Sequence, residues 1–135
     1  MIVPAMRYAD CDAALAFLTG ALGFAEHAVY RDSYGRIIHA ELKQGDGFLM
    51  FGPEHRDSPM GRHMLRPPAA GGVTAAIYVC VSNVAGHFAR AVGAGAEILL
   101  PLEELPYGGQ SYTVRDPEGQ IFTFGEYHPE GAHGG

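Results

Sequence analysis

The sequence predicts an α+β fold of two βαβββ modules, with curved sheets around a cavity and a helix on the convex face of each sheet. Three observations carry this prediction. Each half alternates short β-branched or aromatic runs with one helix-patterned stretch. Landmarks recur at an offset of 73 residues: Asp10 and Asn83 each open a helix, and Phe51-Gly52 returns as Phe124-Gly125. The helix face Cys11, Leu15, Leu18, Leu22 maps onto Val84, Phe88, Ala91, Gly95 at the same offset. Finally, Tyr107 to Tyr127 reads as strand, turn, strand around Asp116-Pro117-Glu118-Gly119. A repeat of a whole supersecondary unit outranks local propensity in deciding a fold.

The elements follow in order. Ile2 to Tyr8 is apolar enough for a strand, and Asp10 or Asp12 can cap the helix behind it. That helix spans 11–22, and Gly23 ends it. Ala25 to Arg31 and Arg36 to Lys43 are strands about the turn Asp32-Ser-Tyr-Gly35. Gly45-Asp-Gly47 turns the chain into a strand at Phe48 to Phe51. Module 1 thus covers about 2–52, and the Pro- and Gly-rich stretch 53–72 reads as a linker. Module 2, about 73–128, holds a strand (Val73 to Val81), a helix over 83–93 and a strand (Glu97 to Leu102). The hairpin Gln110 to Arg115 and Ile121 to Phe124 completes it; Pro presets φ in its turn and Gly accepts a positive φ.

Composition limits the function classes. The 135 residues are 47% hydrophobic and 18% charged, which suits one compact domain. A net charge of −6 argues against a nucleic-acid surface. No apolar run approaches the ~20 residues of a membrane span, and residues 1–8 read as too short and too polar at the end for a signal peptide, so none is expected. Cys11 and Cys80 lack CxxC spacing and indicate neither a metal site nor a disulfide. The expected compartment is the cytosol.

Strand parity supplies the candidate pocket, because residues two apart share a face. Val3, Ala5 and Arg7 fall on one face, as do Phe48 with Met50, Ala76 with Tyr78 and Cys80, and Ile121 with Thr123. On the third strand, Ile38, Ala40 and Leu42 suit the helix side, which leaves Ile37, His39 and Glu41 for the cavity. The expected ligand-binding set is Arg7, His39, Phe48, Met50, Tyr78 and Thr123: apolar walls with a few polar groups, the makeup of a small-molecule site. His39 and Glu41 also read as a base with its orienting carboxylate, as half of a metal site, or as a hydrogen-bonded polar pair on an open face. Of the other histidines, His27 has no assigned role, His55 and His63 lie in the linker, His87 is expected exposed on the second helix, and His128 and His133 sit in a Gly-rich tail. Glu126 reads as a rim carboxylate within reach of the cavity, and Cys80 as a small apolar filler. No P-loop, GxSxG or HExxH motif occurs.

The paired βαβββ pattern, the Asp-Pro-Glu-Gly turn and the segment RYADCDAALAFLTGALGF (7–24) resemble the vicinal oxygen chelate superfamily. That group includes glyoxalase I, extradiol dioxygenases, fosfomycin-resistance enzymes and bleomycin-resistance proteins. The ending YGGQSYTVRDPEGQIFTFGEYHP (107–129) is similar to the glyoxalase/bleomycin-resistance-like branch, and the resemblance spans residues 2–128. It implies metal ligands seven residues before each helix-start Asp or Asn, and in the last strand of each module. Carried onto this chain, those positions are Val3, Ala76, Met50 and Thr123, and none is His, Glu or Gln. The resemblance therefore leads to the expectation of no metal, no cofactor and no catalytic residue. The implied function is binding of a small, planar aromatic compound or antibiotic, as in bleomycin-resistance proteins, by a homodimer that covers its open sheet edges. Two alternatives stay open: a glyoxalase- or dioxygenase-type enzyme with relocated residues such as His39, Glu41 or Glu126, and a non-catalytic structural or regulatory dimer.

Overall fold

The computed structural model of the chain describes residues 1–130. In chain order it has β1 (Ala5–Tyr8), α1 (Cys11–Gly20), β2 (Ala25–Arg31), β3 (Ile37–Gln44) and β4 (Gly47–Pro53). A 3-10 turn (Gly61–His63) and a short α2 (Pro67–Ala70) follow. The second module has β5 (Ile77–Cys80), α3 (Val84–Gly93), β6 (Glu97–Glu104), β7 (Gln110–Arg115) and β8 (Ile121–Gly125). Two open four-stranded sheets result, ordered β1-β4-β3-β2 and β5-β8-β7-β6. The first strand of each module runs parallel to the last, and the other pairs are antiparallel. The predicted double βαβββ pattern is the observed one.

Local chemistry explains the boundaries. Asp10 caps α1 by accepting from the Ala13 amide at 3.0 Å, and Asn83 caps α3 by accepting from the Gly86 amide at 3.1 Å. α1 stops at Gly20, so Leu22 lies past its end rather than on its last turn, though it is fully buried. β5 begins four residues later than expected, at Ile77, because 73–76 form bends and irregular chain. The linker is not structureless: Pro67 and Pro68 sit in the first turn of α2, where their missing N–H groups cost nothing, and Gly71 ends it at φ +83°.

One continuous core joins the modules. Leu18, Leu22, Ala40, Leu42 and Leu49 of the first belong to the same buried cluster as Val84, Ala91, Tyr112, Val114, Phe122 and Phe124 of the second. The Phe24 ring meets Phe122 and Phe124 edge-on, with centroids 6.0 and 6.2 Å away. Fully burying one such ring contributes roughly 1.5–3 kcal/mol.

A β-bulge corrects the predicted faces of β3. Tyr30 pairs with His39, but the next residue, Arg31, pairs with Ile37. Ile38 is the extra residue, and an inserted residue reverses side-chain parity beyond it. Ile37, expected in the cavity, is buried in the core at 3% exposure, while Ile38, expected on the helix side, is 50% exposed.

Candidate functional site

The faces opposite the helices carry the candidate residues. On the first sheet, register aligns Ala5 with Met50, Met50 with Glu41, Lys43 with Phe48, and Tyr30 with His39. Their alternation with the buried Met6, Tyr8, Leu49 and Phe51 puts them on the concave side. His39 Nε2 lies 3.0 Å from Glu41 Oε2, and the Tyr30 ring is tilted over His39 at 5.9 Å. Phe48 is half-buried between the edge of the His27 ring and the Lys43 ammonium, 5.0 and 5.7 Å from its centroid. Met50 is half-buried between β1 and β3.

Arg7 pairs in register with Gly52. A Cβ built on Gly52 would stand 2.9 Å from Arg7 Nη1 and 3.0 Å from the Ile38 carbonyl oxygen. Glycine here makes room for the guanidinium to lie across the sheet. Arg7 Nε is buried and finds no acceptor among the described residues.

The second sheet repeats the arrangement with other chemistry. The 73-residue counterpart of Gly52 is Gly125, and the chain crossing it is the Tyr78 ring, whose Cε2 would lie 3.0 Å from a Cβ there. The Tyr78 hydroxyl donates to the Tyr127 carbonyl at 2.8 Å, and the ring is 40% exposed. Thr123 shares a hydroxyl–hydroxyl bond of 2.8 Å with the buried Thr113. Cys80 Sγ donates to the Tyr127 carbonyl at 3.4 Å, and burial pushes its thiol pKa up, as expected of an apolar filler.

Four of the six sequence-predicted residues (Arg7, His39, Phe48, Met50) therefore share one sheet, and two (Tyr78, Thr123) share the other. The contacts that join the modules come from the helix-bearing side: Phe24 meets Phe122 and Phe124, and His87 reaches the Leu22 carbonyl. No hydrogen bond or ring contact among the described residues joins one concave face to the other.

The positions that hold metal in related enzymes do not fit a divalent ion. Val3 and Ala76 precede their strands, Met50 offers a thioether, and the Thr123 hydroxyl is bonded to Thr113. Among the described residues, no three His, Cys, Asp or Glu side chains gather closely enough for a metal.

Several polar residues have structural positions that sequence reading missed or misplaced. His87, expected exposed, is half-buried: Nε2 lies 2.7 Å from the Leu22 carbonyl, Nδ1 lies 2.5 Å from the Tyr112 hydroxyl, and the ring covers Phe124. Burial lowers its pKa. Arg90 donates to the Thr19 and Gly20 carbonyls, tying α3 to the end of α1. Glu126 turns away from the cavity, accepting from the Gln110 amide at 3.0 Å and the Val84 amide at 3.4 Å. Asp116 accepts from the Tyr8 hydroxyl at 2.6 Å, and Glu118 accepts from the Ala9 and Asp10 amides at 2.7 and 2.9 Å. Arg66 links Glu118 to Glu54, each at 3.2 Å. The Asp-Pro-Glu-Gly turn is thus a joint between modules. His55 and His63 are exposed, His128 lies 3.6 Å from Glu130, and His133 lies outside the described residues.

Two open grooves flank the linker. One of about 440 Å³ lies between β1 and the linker and includes Arg7, His63, Met64, Leu65, Ile77 and Gln120. The other, about 500 Å³, lies beside the 116–119 turn, where Arg115 and Glu97 pair with each other at 2.6 Å. No helix among the described residues is long and apolar enough to cross a membrane. Cys11 and Cys80 are free thiols.

Comparison with known proteins agrees with this geometry. Residues 3–124 match the model of the glyoxalase/bleomycin resistance protein/dioxygenase superfamily. The solved structure of TioX from Micromonospora sp. ML1 is 34% identical, covers 94% of this chain and 98% of its own, and superposes with a TM-score of 0.74. An uncharacterised protein of Mycobacterium tuberculosis (strain ATCC 25618 / H37Rv) is 28% identical over 117 residues, 87% of this chain and 68% of its own. Lactoylglutathione lyase from Agrobacterium tumefaciens is 20% identical over 93% of this chain and 91% of its own, with a TM-score of 0.60, a likeness of fold alone.

Proposed function

The chain belongs to the glyoxalase/bleomycin resistance protein/dioxygenase superfamily, and from that premise we propose that it is a metal-free cytosolic protein that binds and sequesters a small, planar, partly aromatic molecule, an antibiotic among the candidates. One observation carries the reading. Where metalloenzymes of this superfamily keep their ligands, this chain has Val3, Met50, Ala76 and a Thr123 already bonded to Thr113. The same faces offer aromatic and deformable apolar surface: Tyr30, Phe48 and Met50 on one sheet, Tyr78 and Leu100 on the other.

The proposal includes a two-fold homodimer. Arg7, His39, Phe48 and Met50 belong to one open face and Tyr78 and Thr123 to another, and a second copy is the simplest way to bring the two faces together twice. Exposed Tyr30, Ile38, Tyr78 and Leu100 supply apolar contact for that pairing or for the ligand.

A second reading has its own observation. The His39–Glu41 pair at 3.0 Å has the geometry of a base and its orienting carboxylate. Metal analysis and calorimetry separate the two. The binding reading expects far less than one equivalent of zinc, nickel, iron or manganese. It also expects neutral planar compounds to bind wild type more tightly than about 1 mM, with clear loss in Tyr78→Ala. Stoichiometric metal lost in His39→Ala would favour the enzyme. A panel without binders, or equal binding by Tyr78→Ala, would defeat the binding reading. Light scattering showing only a 14.4 kDa species at micromolar concentration would defeat the dimer.

A further inference from the structure

We infer that Arg7 is an anion anchor, and that the molecule bound on the first sheet carries a carboxylate or an equivalent planar oxyanion. The inference rests on the binding reading and adds the chemical class of the ligand.

The arginines of the chain provide the contrast. Arg31, Arg36, Arg66 and Arg115 form ion pairs. Arg56 and Arg90 donate to backbone carbonyls, and Arg62 is exposed. Arg7 is half-buried and forms no ion pair among the described residues, and its Nε is buried without a hydrogen-bond acceptor there. A buried donor without a partner costs about 1–3 kcal/mol, more when charged, so such a group is expected to meet an acceptor in its working state. The guanidinium is also positioned. Gly52 leaves the space it occupies, and a methyl group there would collide with Nη1 at 2.9 Å.

Arginine narrows the ligand. Its planar fork matches a carboxylate in two parallel hydrogen bonds, which a lysine ammonium cannot do. On the same face, the Glu41 carboxylate is engaged with His39. The surrounding chain carries a net charge of −6, which repels free anions in general, so retention of one depends on a specific cation. Phe48 and Met50 on the same face supply an apolar wall for the rest of the molecule.

The test uses two probes of one shape, 2-naphthoate and the neutral 2-naphthamide, titrated by calorimetry into wild type, Arg7→Gln and Arg7→Lys. Wild type should bind the naphthoate at least tenfold more tightly than the amide. Arg7→Gln should erase that preference while leaving the amide within about twofold, and Arg7→Lys should keep part of it. Equal affinity of wild type for both probes, or a preference that survives Arg7→Gln, overturns the anchor. Should Arg7→Gln not fold, the wild-type ratio and Arg7→Lys still decide. Binding of the amide without preference for the naphthoate overturns the anchor and leaves the aromatic-binding reading standing. Binding of neither probe overturns the anchor, while the wider panel tests the aromatic-binding reading.

Discussion

Asp32 and Asp116 open two turns of one conformation. Asp32 lies between β2 and β3, Asp116 between β7 and β8. In each, Oδ1 accepts from the amides two and four residues on: Tyr34 and Arg36 for Asp32, Glu118 and Gln120 for Asp116. In each, a glycine with positive φ donates back to the aspartate carbonyl at 3.0 Å, Gly35 in one and Gly119 in the other. The difference is the second carboxylate oxygen. Asp32 Oδ2 meets the exposed Arg36 at 3.2 Å, whereas Asp116 Oδ2 meets the buried Tyr8 hydroxyl at 2.6 Å. Backbone hydrogen bonds lower the Asp32 pKa, and burial raises that of Asp116. Identical local chemistry yields a surface turn in one place and an inter-module joint in the other, because burial decides what a carboxylate is worth.

The strongest break of this comparison is Asp116→Ala. It leaves the Tyr8 hydroxyl and two turn amides without their acceptor, and the expected loss is about 2–4 kcal/mol by chemical denaturation. Tyr8→Phe is gentler, since it removes one donor and leaves the turn intact; roughly 1–3 kcal/mol is expected. If Tyr8→Phe proves neutral, the Tyr8–Asp116 contact contributes nothing to holding the modules together.

What could be read from sequence divides along the same line. The repeat, the caps at Asp10 and Asn83, and the turn at Asp116 depend on neighbours within a few residues, so the sequence displays them. Strand parity likewise placed Arg7, Phe48, Met50, Tyr78 and Thr123 on the faces away from the helices. Parity failed at Ile37 and Ile38 because a bulge adds a residue without any marker in the sequence. His87 was misread because helical spacing says nothing of the Leu22 carbonyl or the Tyr112 hydroxyl, which arrive from distant elements. Nor could sequence show that Arg7 would lack an ion pair among the described residues, since that depends on where the fold carries distant carboxylates. One clue was available: Asp-x-x-Gly-x occurs twice, at 32–36 and 116–120, and the second copy stands between strongly apolar strands.

Smaller effects appear as pH dependence, with signs fixed by the pKa shifts. The Asp116 pKa is raised by burial, so above its ordinary 3.8 and below its folded value the folded chain holds more protons than the unfolded one. Its contribution to stability therefore falls as pH rises through that window, and Asp116→Asn should remove this slope. His87 behaves differently. Burial lowers its pKa from 6.5, so its contribution is fully present above 6.5 and is lost as pH falls toward the folded value. His87→Gln should flatten the stability curve on the acid side of 6.5. A slope unchanged in His87→Gln would mean that the ring titrates alike in both states.

The smallest expected effect is that of Asp32→Ala, and it is the control that gives the comparison its meaning. The substitution removes the same two amide bonds as Asp116→Ala, and Gly35 keeps its own bond to the Asp32 carbonyl. The amides it frees lie in an exposed turn, where water replaces a lost acceptor at little cost. The Arg36 partner is also exposed, and a solvent-screened pair of this kind contributes little. The lowered Asp32 pKa means that whatever this carboxylate contributes is present above its ordinary 3.8 and lost as pH falls through the folded value. At neutral pH, Asp32→Ala should shift the denaturation midpoint less than Tyr8→Phe does. If it instead costs as much as Asp116→Ala, the turn's own hydrogen bonds would be the source of stability in both places, and burial of the Asp116–Tyr8 contact would not distinguish them.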